Sequence, residues 1–306
     1  MPGAHLETIV PSLTNRVEGI QYDRERLELP EGDFLDLDWL KGENKKLLVI
    51  SHGFGGNSHR HYVKRPAKYF HDKGWDILAW NNRGCSGEIN RLMKFHHHGD
   101  TDDLSSVIDH ALKKDTYDRI VILGISMGGC QAVKYFGERS IDDRVLGAFT
   151  VSVSCDLRET NDAVDSQLHG LYSRRFLGNF LNEFKEKSQF HSDLASIDFD
   201  SIKTFDDFHR EITTRVYGFD SLLDYYEKSS CNNYINGIDK PVFILNANND
   251  PLLGPKCYPT TEAENHEYVH LEIPRYGGHV GFTLAGSKES YIEVRAEKFI
   301  NEVLKT

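Results

Sequence analysis

Residues 119–136, RIVILGISMGGCQAVKYF, decide the fold that this chain is predicted to adopt. The apolar run at 120–123 is typical of a strand buried on both faces, and the small and apolar residues after Met127 are typical of a packed helix. The junction carries Gly-Ile-Ser-Met-Gly, a G-x-S-x-G motif, at positions 124–128. In this context the motif predicts a strained turn that exposes the hydroxyl of Ser126, although glycine and serine are also common in ordinary turns. Ser126 is therefore the candidate nucleophile, and the Met127 backbone N–H at the helix N-terminus is a candidate oxyanion donor.

The composition narrows the class of protein. The net charge of −11 over 306 residues argues against a nucleic-acid partner or an anionic membrane surface. The five cysteines are scattered without a CxxC pair, which suits a reduced cytoplasm better than a disulfide framework. No apolar run approaches the ~20 residues of a membrane helix, and the N-terminus lacks the residue order of a signal peptide. We therefore expect a cytoplasmic protein with no membrane-spanning segment and no nucleic-acid partner.

Further strands and helices are predicted on both sides of the opening stretch. The strands are Lys46 to Ser51, Trp75 to Trp80, Gly147 to Ser154, Pro241 to Ala247 and His270 to Ile273, and an amphipathic helix from Lys288 to Leu304 closes the chain. Their alternation with helices predicts an α/β fold with a mostly parallel sheet and helices on both faces. Segments 22–29 and 33–40 alternate in hydrophobicity and predict a hairpin of edge strands. Residues 1–20 predict an irregular arm on the surface.

The region between Cys155 and Lys240 departs from the alternation of strands and helices. It predicts long helices without strands, with large apolar residues on roughly one helical face between Leu171 and Phe184. We interpret 155–240 as a helical cap inserted into a single domain, whose core consists of 1–154 and 241–306. Phe176 and Phe180 on that face are predicted to contact the substrate, although ordinary packing of the cap on the core accounts for most such side chains.

A serine nucleophile needs a base and a group that orients the base, and two loops after predicted strands supply candidates. Asp250 follows the strand that ends at Ala247, and His279 follows the last strand and is flanked by glycines in GGHVG. Each residue alone has an ordinary interpretation, an Asx turn for Asp250 and a structural or solvated imidazole for His279. Their order Ser, Asp, His at successive strand ends predicts a catalytic set.

The loop after the strand at 46–51 reads His-Gly-Phe-Gly-Gly at 52–56. Its glycines allow backbone N–H groups to face a substrate, so the Phe54 N–H is the second candidate oxyanion donor.

Other polar clusters have structural interpretations. His96, His97 and His98 with nearby aspartates resemble a metal cluster, but consecutive histidines point in different directions, so a capped helix start beside a polar loop is favoured and no metal is expected. Cys85 lacks an obvious base in the sequence and is interpreted as structural. Arg83 and Glu88 are predicted to pair within their loop.

With these residues identified, the chain resembles the YheT-like branch of the α/β-hydrolase superfamily. The shared segments are HLET at 5–8, GDFLDLDW at 32–39, HGFGGNS at 52–58, NRGCSGE at 82–88, GISMGG at 124–129 and GGHVGF at 277–282. The resemblance implies an α/β-hydrolase fold and matches Ser126, Asp250 and His279 to the family's triad. Two residues depart from the family pattern: Glu7 stands where the family usually has Gln, and Asn249 stands where it often has Asp.

These residues predict a serine carboxylic-ester hydrolase that acts through an acyl-enzyme on small to medium acyl esters. The resemblance also implies acyl transfer to an alcohol as an alternative use of the same three residues. A catalytically silent hydrolase fold that binds a ligand is the alternative from another class. The expected partner is a small-molecule ester, no cofactor is expected, and the oligomeric state is left open.

Overall fold

A single eight-stranded sheet forms the centre of the protein. The computed structural model describes residues 3–303 except 192, 193 and 195, and at 179 it describes the backbone alone. The strands lie in the order β1-β2-β4-β3-β5-β6-β7-β8. They are Asp23–Glu28 (β1), Phe34–Leu40 (β2), Lys46–Ser51 (β3), Asp76–Asn81 (β4), Arg119–Ile125 (β5), Val145–Val151 (β6), Val242–Leu245 (β7) and Val269–Glu272 (β8).

The pairing of the strands confirms the predicted sheet. Strands β1 and β2 form an antiparallel hairpin at one edge, and β2 is antiparallel to β4. From β4 to β8 every neighbouring pair is parallel. Strand β5 lies between β3 and β6, so the turn that follows it opens at the carboxyl edge in the middle of the sheet. Open α/β sheets bind ligands at this edge.

Helices cover both faces of the sheet. They are Ala4–Thr14 (α1), His61–His71 (α2), Asp102–Lys113 (α3), Met127–Glu138 (α4), Leu157–Ser166 (α5), Leu171–Lys187 (α6), Phe205–Phe208 (α7), Thr214–Tyr217 (α8), Leu222–Ser229 (α9), Thr260–Glu264 (α10) and Tyr291–Val303 (α11). Helices α3 and α4 bury apolar side chains against one face, and α2 and α11 bury theirs against the other. The predicted last helix residue, Leu304, lies outside the described residues. Over the described parts of the chain, no helix has both the length and the apolar character needed to span a bilayer.

The segment 155–240 is helical, as expected, and its longest helix is α6. Phe180 and Phe184 of α6 are buried with Phe95 and Phe208 in an apolar cluster apart from the two faces of the sheet. The aromatic rings of Phe95 and Phe184 meet edge to face, with 4.7 Å between their centroids. Treating 155–240 as a cap on the core stays a prediction, since the cluster also includes a residue from outside the segment.

The prediction of an irregular arm at residues 1–20 was wrong, because residues 4–14 form helix α1. The sequence pattern did not indicate this helix, because it contains Pro11 and its apolar residues show little periodicity. A helix of this length would be only marginally stable on its own in water. Tertiary contacts hold it instead. The buried Glu7 carboxylate accepts a hydrogen bond from the Gly277 backbone N–H (2.9 Å), and the His5 Nδ1 lies 3.1 Å from the Tyr172 hydroxyl of α6.

The predicted pairing of Arg83 with Glu88 was also wrong. The buried Arg83 guanidinium instead contacts Asp103 (2.7 Å) and Asp33 (2.8 Å), while Glu88 pairs with Arg26 of β1 at 2.7 Å. Arg83 also contacts Glu31 at 2.6 Å, so its buried charge is compensated by three carboxylates, two of them buried, and Glu88 is not among them.

Candidate active site

Ser126 occupies the sharp turn between β5 and α4. Its backbone has φ 54° and ψ −115°, a conformation that costs free energy for a residue with a Cβ, so the predicted strain is present. The turn also requires close packing against β3. A Cβ at Gly128 would collide with the carbonyl oxygens of Ser51 and His52, which explains the glycine at this position. The half-buried Ser126 side chain is thereby held at the carboxyl edge of the sheet.

The structure brings Ser126, His279 and Asp250 into one continuous set of contacts. The His279 Nε2 lies 3.0 Å from Ser126 Oγ, and its Nδ1 lies 2.9 Å from Asp250 Oδ2 and 3.1 Å from Oδ1. The Leu252 backbone N–H also donates to Asp250 Oδ1 at 2.9 Å. The Asp250 side chain is fully buried and that of His279 is 14% exposed. The three residues predicted from strand ends are therefore in hydrogen-bonding order.

The loop at 52–57 lies directly over Ser126. A Cβ at Gly53 would come within 3.2 Å of the Ser126 Cβ, so the loop approaches the serine as closely as glycine allows. Among the described residues, no acceptor is found for the backbone N–H of Phe54 or of Met127, the first residue of α4. Both predicted donors are thus unpaired and belong to the two segments that flank Ser126.

Two buried histidines hold this loop in place. The His96 Nδ1 donates to the Arg83 carbonyl at 3.0 Å, and its Nε2 accepts from the Gly55 N–H at 3.3 Å. The His52 Nδ1 donates to the Gly53 carbonyl at 2.7 Å, and its Nε2 accepts from the Asn82 N–H at 3.1 Å. Both rings thereby connect the loop after β3 with the loop after β4.

The family model for the alpha/beta hydrolase fold matches residues 46–282 of this chain. The chain belongs to the α/β-hydrolase fold family. The match begins at β3 and ends just after His279, so it includes all three residues of the hydrogen-bonded set.

Individual relatives agree with this assignment. "Putative esterase YheT" of Escherichia coli (strain K12) is 29% identical over 288 residues, covering 91% of this chain and 84% of that protein. "Phospholipase ABHD3" of Mus musculus is 26% identical over 275 residues, covering 86% of this chain and 67% of that protein. The solved structure of the Pyrococcus furiosus esterase PF2001 superposes with a TM-score of 0.65 at 16% identity, covering 94% of this chain and 96% of that one, which shows a shared fold. The resemblance to the YheT-like branch is confirmed.

A cavity of about 490 Å³ opens onto Ser126 and His279 of this α/β-hydrolase. This volume lies in the range of small-molecule sites. Phe176 and Phe180, the residues predicted to contact the substrate, both line it. The Phe180 ring stacks on the Phe54 ring with 4.2 Å between centroids, so α6 and the loop at 52–57 form adjoining walls. Phe176 is only half-buried.

The three consecutive histidines are buried separately rather than gathered around one point. Burial lowers the pKa of each imidazole to about 3. Within the described residues, no group of three or more His, Cys, Asp or Glu side chains is arranged to hold a metal ion. His96 supports the loop above Ser126, and His98 lines the cavity. Sequence reasoning missed both roles, because nothing in three like residues indicates which neighbours each will meet.

Cys85 also lines the cavity, and His96 Nδ1 lies 3.4 Å from its Sγ. The sequence did not indicate this neighbour. Burial raises the pKa of the Cys85 thiol well above its usual range, so the thiol is protonated at neutral pH. The His96 Nδ1 already donates to the Arg83 carbonyl. Cys85 is therefore not an activated nucleophile in this arrangement.

Helix α1 holds the loop that carries His279. The Glu7 Oε2 accepts from the Gly277 N–H (2.9 Å) and from the Asn249 amide (2.8 Å), and Asn249 Oδ1 accepts from the Gly278 N–H (3.0 Å). The His279 N–H donates to Thr8 Oγ1 at 2.9 Å. The two departures from the family pattern, Glu7 and Asn249, are thus in direct contact. The HLET segment was a signal in the sequence, but its contacts lie more than 200 residues away.

This contact predicts a compensating pair of substitutions. Asn249→Asp alone places a second carboxylate against Glu7, and we expect it to lower the free energy of unfolding by ~2 to 3 kcal/mol and to lower kcat. Adding Glu7→Gln restores a donor and an acceptor at the contact and gives the Gln and Asp that the resemblance implies for the family. The double variant is therefore expected to regain most of both losses. Denaturant unfolding and ester turnover of both single variants and the double variant measure this.

The comparison is a double-mutant cycle, which isolates the pairwise interaction from the effects of each substitution alone. We expect a coupling free energy above ~1 kcal/mol between positions 7 and 249. Additive effects of the two substitutions would show that Glu7 and Asn249 act independently on the His279 loop.

Proposed function

We propose that this α/β-hydrolase is a serine carboxylic-ester hydrolase with Ser126 as nucleophile, His279 as general base and Asp250 as the residue that orients the base. The observation that carries the proposal is the unbroken chain of contacts from Asp250 through both nitrogens of His279 to Ser126 Oγ. A protein that only binds a ligand needs no such chain. Two relatives that are named as an esterase and a phospholipase agree with ester hydrolysis.

The geometry supports a defined order of proton transfers. Asp250 accepts a hydrogen bond from the His279 Nδ1–H, which keeps the proton on Nδ1 and leaves the lone pair of Nε2 directed at the Ser126 hydroxyl. Nε2 removes the hydroxyl proton as Oγ attacks the ester carbonyl, and the resulting imidazolium then protonates the departing alcohol. Water attacks the acyl-Ser126 ester in the second half of the reaction, with His279 again as the base.

The backbone N–H groups of Phe54 and Met127 are the proposed oxyanion donors. The attack converts the carbonyl oxygen to an anion, and each donor aimed at it stabilises the transition state by ~3 to 4 kcal/mol in related enzymes. The packing of Gly53 against Ser126 and the two histidines beneath the loop hold the Phe54 N–H in place before the substrate arrives. This preorganisation costs nothing at the moment of reaction.

A panel of p-nitrophenyl esters and a fluorophosphonate probe test the proposal. The wild type is expected to release p-nitrophenol and to react with the probe at Ser126 in a one-to-one ratio, located by peptide mass spectrometry. Adding a primary alcohol and measuring free acid against new ester shows whether water or alcohol resolves the acyl-enzyme. Absence of both labelling and turnover in folded protein would contradict an activated serine.

The cavity walls suggest how the acyl chain is accommodated. Phe176 lies half-buried beside Tyr172, while Phe180 is 3% exposed and packed among four other aromatic rings, including those of Phe54 and Phe208. Phe176 can therefore be shortened with less loss of packing than Phe180. Each CH₂ of an acyl chain buried against these rings contributes ~0.8 kcal/mol until the cavity is full.

We predict that kcat/KM rises with acyl length and then breaks at the limit of the cavity, and that Phe176→Ala moves the break toward longer chains. Phe180→Ala is expected to move it too, with a loss of stability of ~3 to 5 kcal/mol from the emptied aromatic cluster. A series of p-nitrophenyl esters with two to twelve acyl carbons measures both effects, with Tm as the folding control. A flat profile, or a break that stays in place in both variants, would show that these rings only pack the interior.

A further inference from the structure

Two arginines lie at the exposed rim of the cavity that contains Ser126. Arg60 immediately precedes α2, and its Nη2 donates to the Gly55 carbonyl of the loop over Ser126 at 3.4 Å. Arg175 lies on α6, the helix that also contributes Phe176 and Phe180 to the cavity wall. Both arginines line the cavity, and both side chains are exposed. They come from the two walls that the stacked rings of Phe54 and Phe180 join.

Within the described part of the chain, neither arginine has a carboxylate partner. Among the residues that the structure describes, no Asp or Glu oxygen lies within 4.0 Å of either guanidinium. Arg26 and Arg83, by contrast, each contact at least two carboxylates. Arg16, Arg158, Arg174 and Arg275 also have no carboxylate within 4.0 Å among the described residues, but none of them lines the cavity. Arg60 and Arg175 are therefore set apart by bringing two uncompensated guanidinium groups to one cavity.

Among the described residues of the cavity wall, no other charged group cancels these two charges. Four lining imidazoles have pKa values lowered mainly by burial and are neutral at pH 7, namely those of His61, His96, His98 and His209. Glu183 is the acidic residue of the wall, and burial raises its pKa to about 7. The Lys187 Nζ lies 3.8 Å from its carboxylate, which provides a local counter-charge. The rim of the cavity is therefore positive.

We propose that Arg60 and Arg175 form an anion-binding subsite, and that the preferred ester carries a carboxylate or phosphate group in addition to its scissile ester bond. The inference rests on the proposed function and names the substrate class for the same site. A guanidinium binds carboxylate and phosphate oxygens through paired N–H donors. The scissile carbonyl would lie at Ser126 while the anionic group stays at the hydrated rim, where its desolvation costs least.

Matched pairs of esters test the subsite. On the acyl side, the p-nitrophenyl monoester of suberic acid ends in a carboxylate, and its methyl-capped counterpart is neutral. On the alcohol side, 1-hexanoylglycerol 3-phosphate is compared with 1-hexanoylglycerol. We expect kcat/KM to favour the anionic member about tenfold in at least one pair, as for a hydrogen bond to a charged group. The pair that shows the preference identifies which portion of the ester carries the anion.

The variants Arg60→Gln and Arg175→Gln are each expected to lower the anionic-to-neutral ratio of kcat/KM, and the double variant to bring it close to one. Arg175→Lys keeps the charge and is expected to retain more of the preference than Arg175→Gln. Arg174→Gln is the matched control, because Arg174 is the exposed neighbour on the same helix and does not line the cavity. It is expected to leave the ratio unchanged.

A binding measurement on an inactive variant tests the anion subsite independently of catalysis. Suberate is titrated calorimetrically into Ser126→Ala, and its affinity is expected to fall about tenfold when both arginines are also replaced by Gln. Equal kcat/KM for both members of both pairs in the wild type, or a preference that survives in the double variant, would overturn the subsite. If no ester is hydrolysed but suberate binds in an arginine-dependent way, the proposed chemistry fails and the anion site stands.

Discussion

Replacing Ser126 by alanine is expected to lower kcat for ester hydrolysis on the order of 10⁶-fold and to remove labelling by a fluorophosphonate. The loss is large because the chemistry depends on a bond between Ser126 Oγ and the acyl carbon, and no other hydroxyl lies beside His279 Nε2 in the described structure. The oxyanion donors and the cavity remain, so a small residual acceleration over water is expected.

The alanine variant is expected to fold, because His279 is the only hydrogen-bond partner of the serine hydroxyl among the described residues and the methyl group keeps the Cβ in place. Ser154→Ala is the matched control, since Ser154 lines the same cavity and its hydroxyl has no hydrogen bond to a base among the described residues. It is expected to keep one-to-one labelling. Stoichiometric labelling of Ser126→Ala, or turnover close to that of the wild type, would refute the role of Ser126.

The sequence was sufficient to predict the parallel sheet and to identify the three residues, Ser126, His279 and Asp250, that the structure joins by hydrogen bonds. Buried parallel strands are visible as apolar runs, and parallel strands bring their carboxyl ends to one edge. Residues that follow three such strands therefore meet in space although Asp250 and Ser126 are far apart in the chain. Local pattern and general topology together were enough to place them.

The residues that hold the site in place could not be predicted, because their contacts are distant in the chain and no local sequence pattern encodes them. Helix α1 is held by the loop at 277–279, some 270 residues away, and its own periodicity is weak. The buried Arg83 contacts three carboxylates that lie 20, 50 and 52 positions away, rather than the predicted neighbour in its own loop. The arginines of the proposed anion subsite became visible only when the cavity showed which side chains line it.

Asp250→Asn is the second substitution with a large expected effect, a loss of kcat on the order of 10⁴-fold with the fold retained. The Leu252 N–H donates to Asp250 Oδ1, so the amide oxygen of an asparagine will take that position and its NH₂ group will face His279 Nδ1. An NH₂ group there donates to Nδ1, which moves the imidazole proton to Nε2. A protonated Nε2 cannot accept the proton of the Ser126 hydroxyl.

Asp239→Asn is the matched control for this variant, because Asp239 is exposed and lies on the surface after the segment 231–237. Asp103 is unsuitable as a control, since its carboxylate accepts two hydrogen bonds from the buried Arg83 guanidinium. The kcat for one p-nitrophenyl ester and the Tm are measured for the wild type, Asp250→Asn and Asp239→Asn.

We expect fluorophosphonate labelling of Asp250→Asn to be slowed in parallel with kcat, because both reactions need the same base. Near-normal turnover by Asp250→Asn would show that another group orients His279, whereas a fall in kcat accompanied by a large fall in Tm would show that Asp250 holds the loop rather than the tautomer.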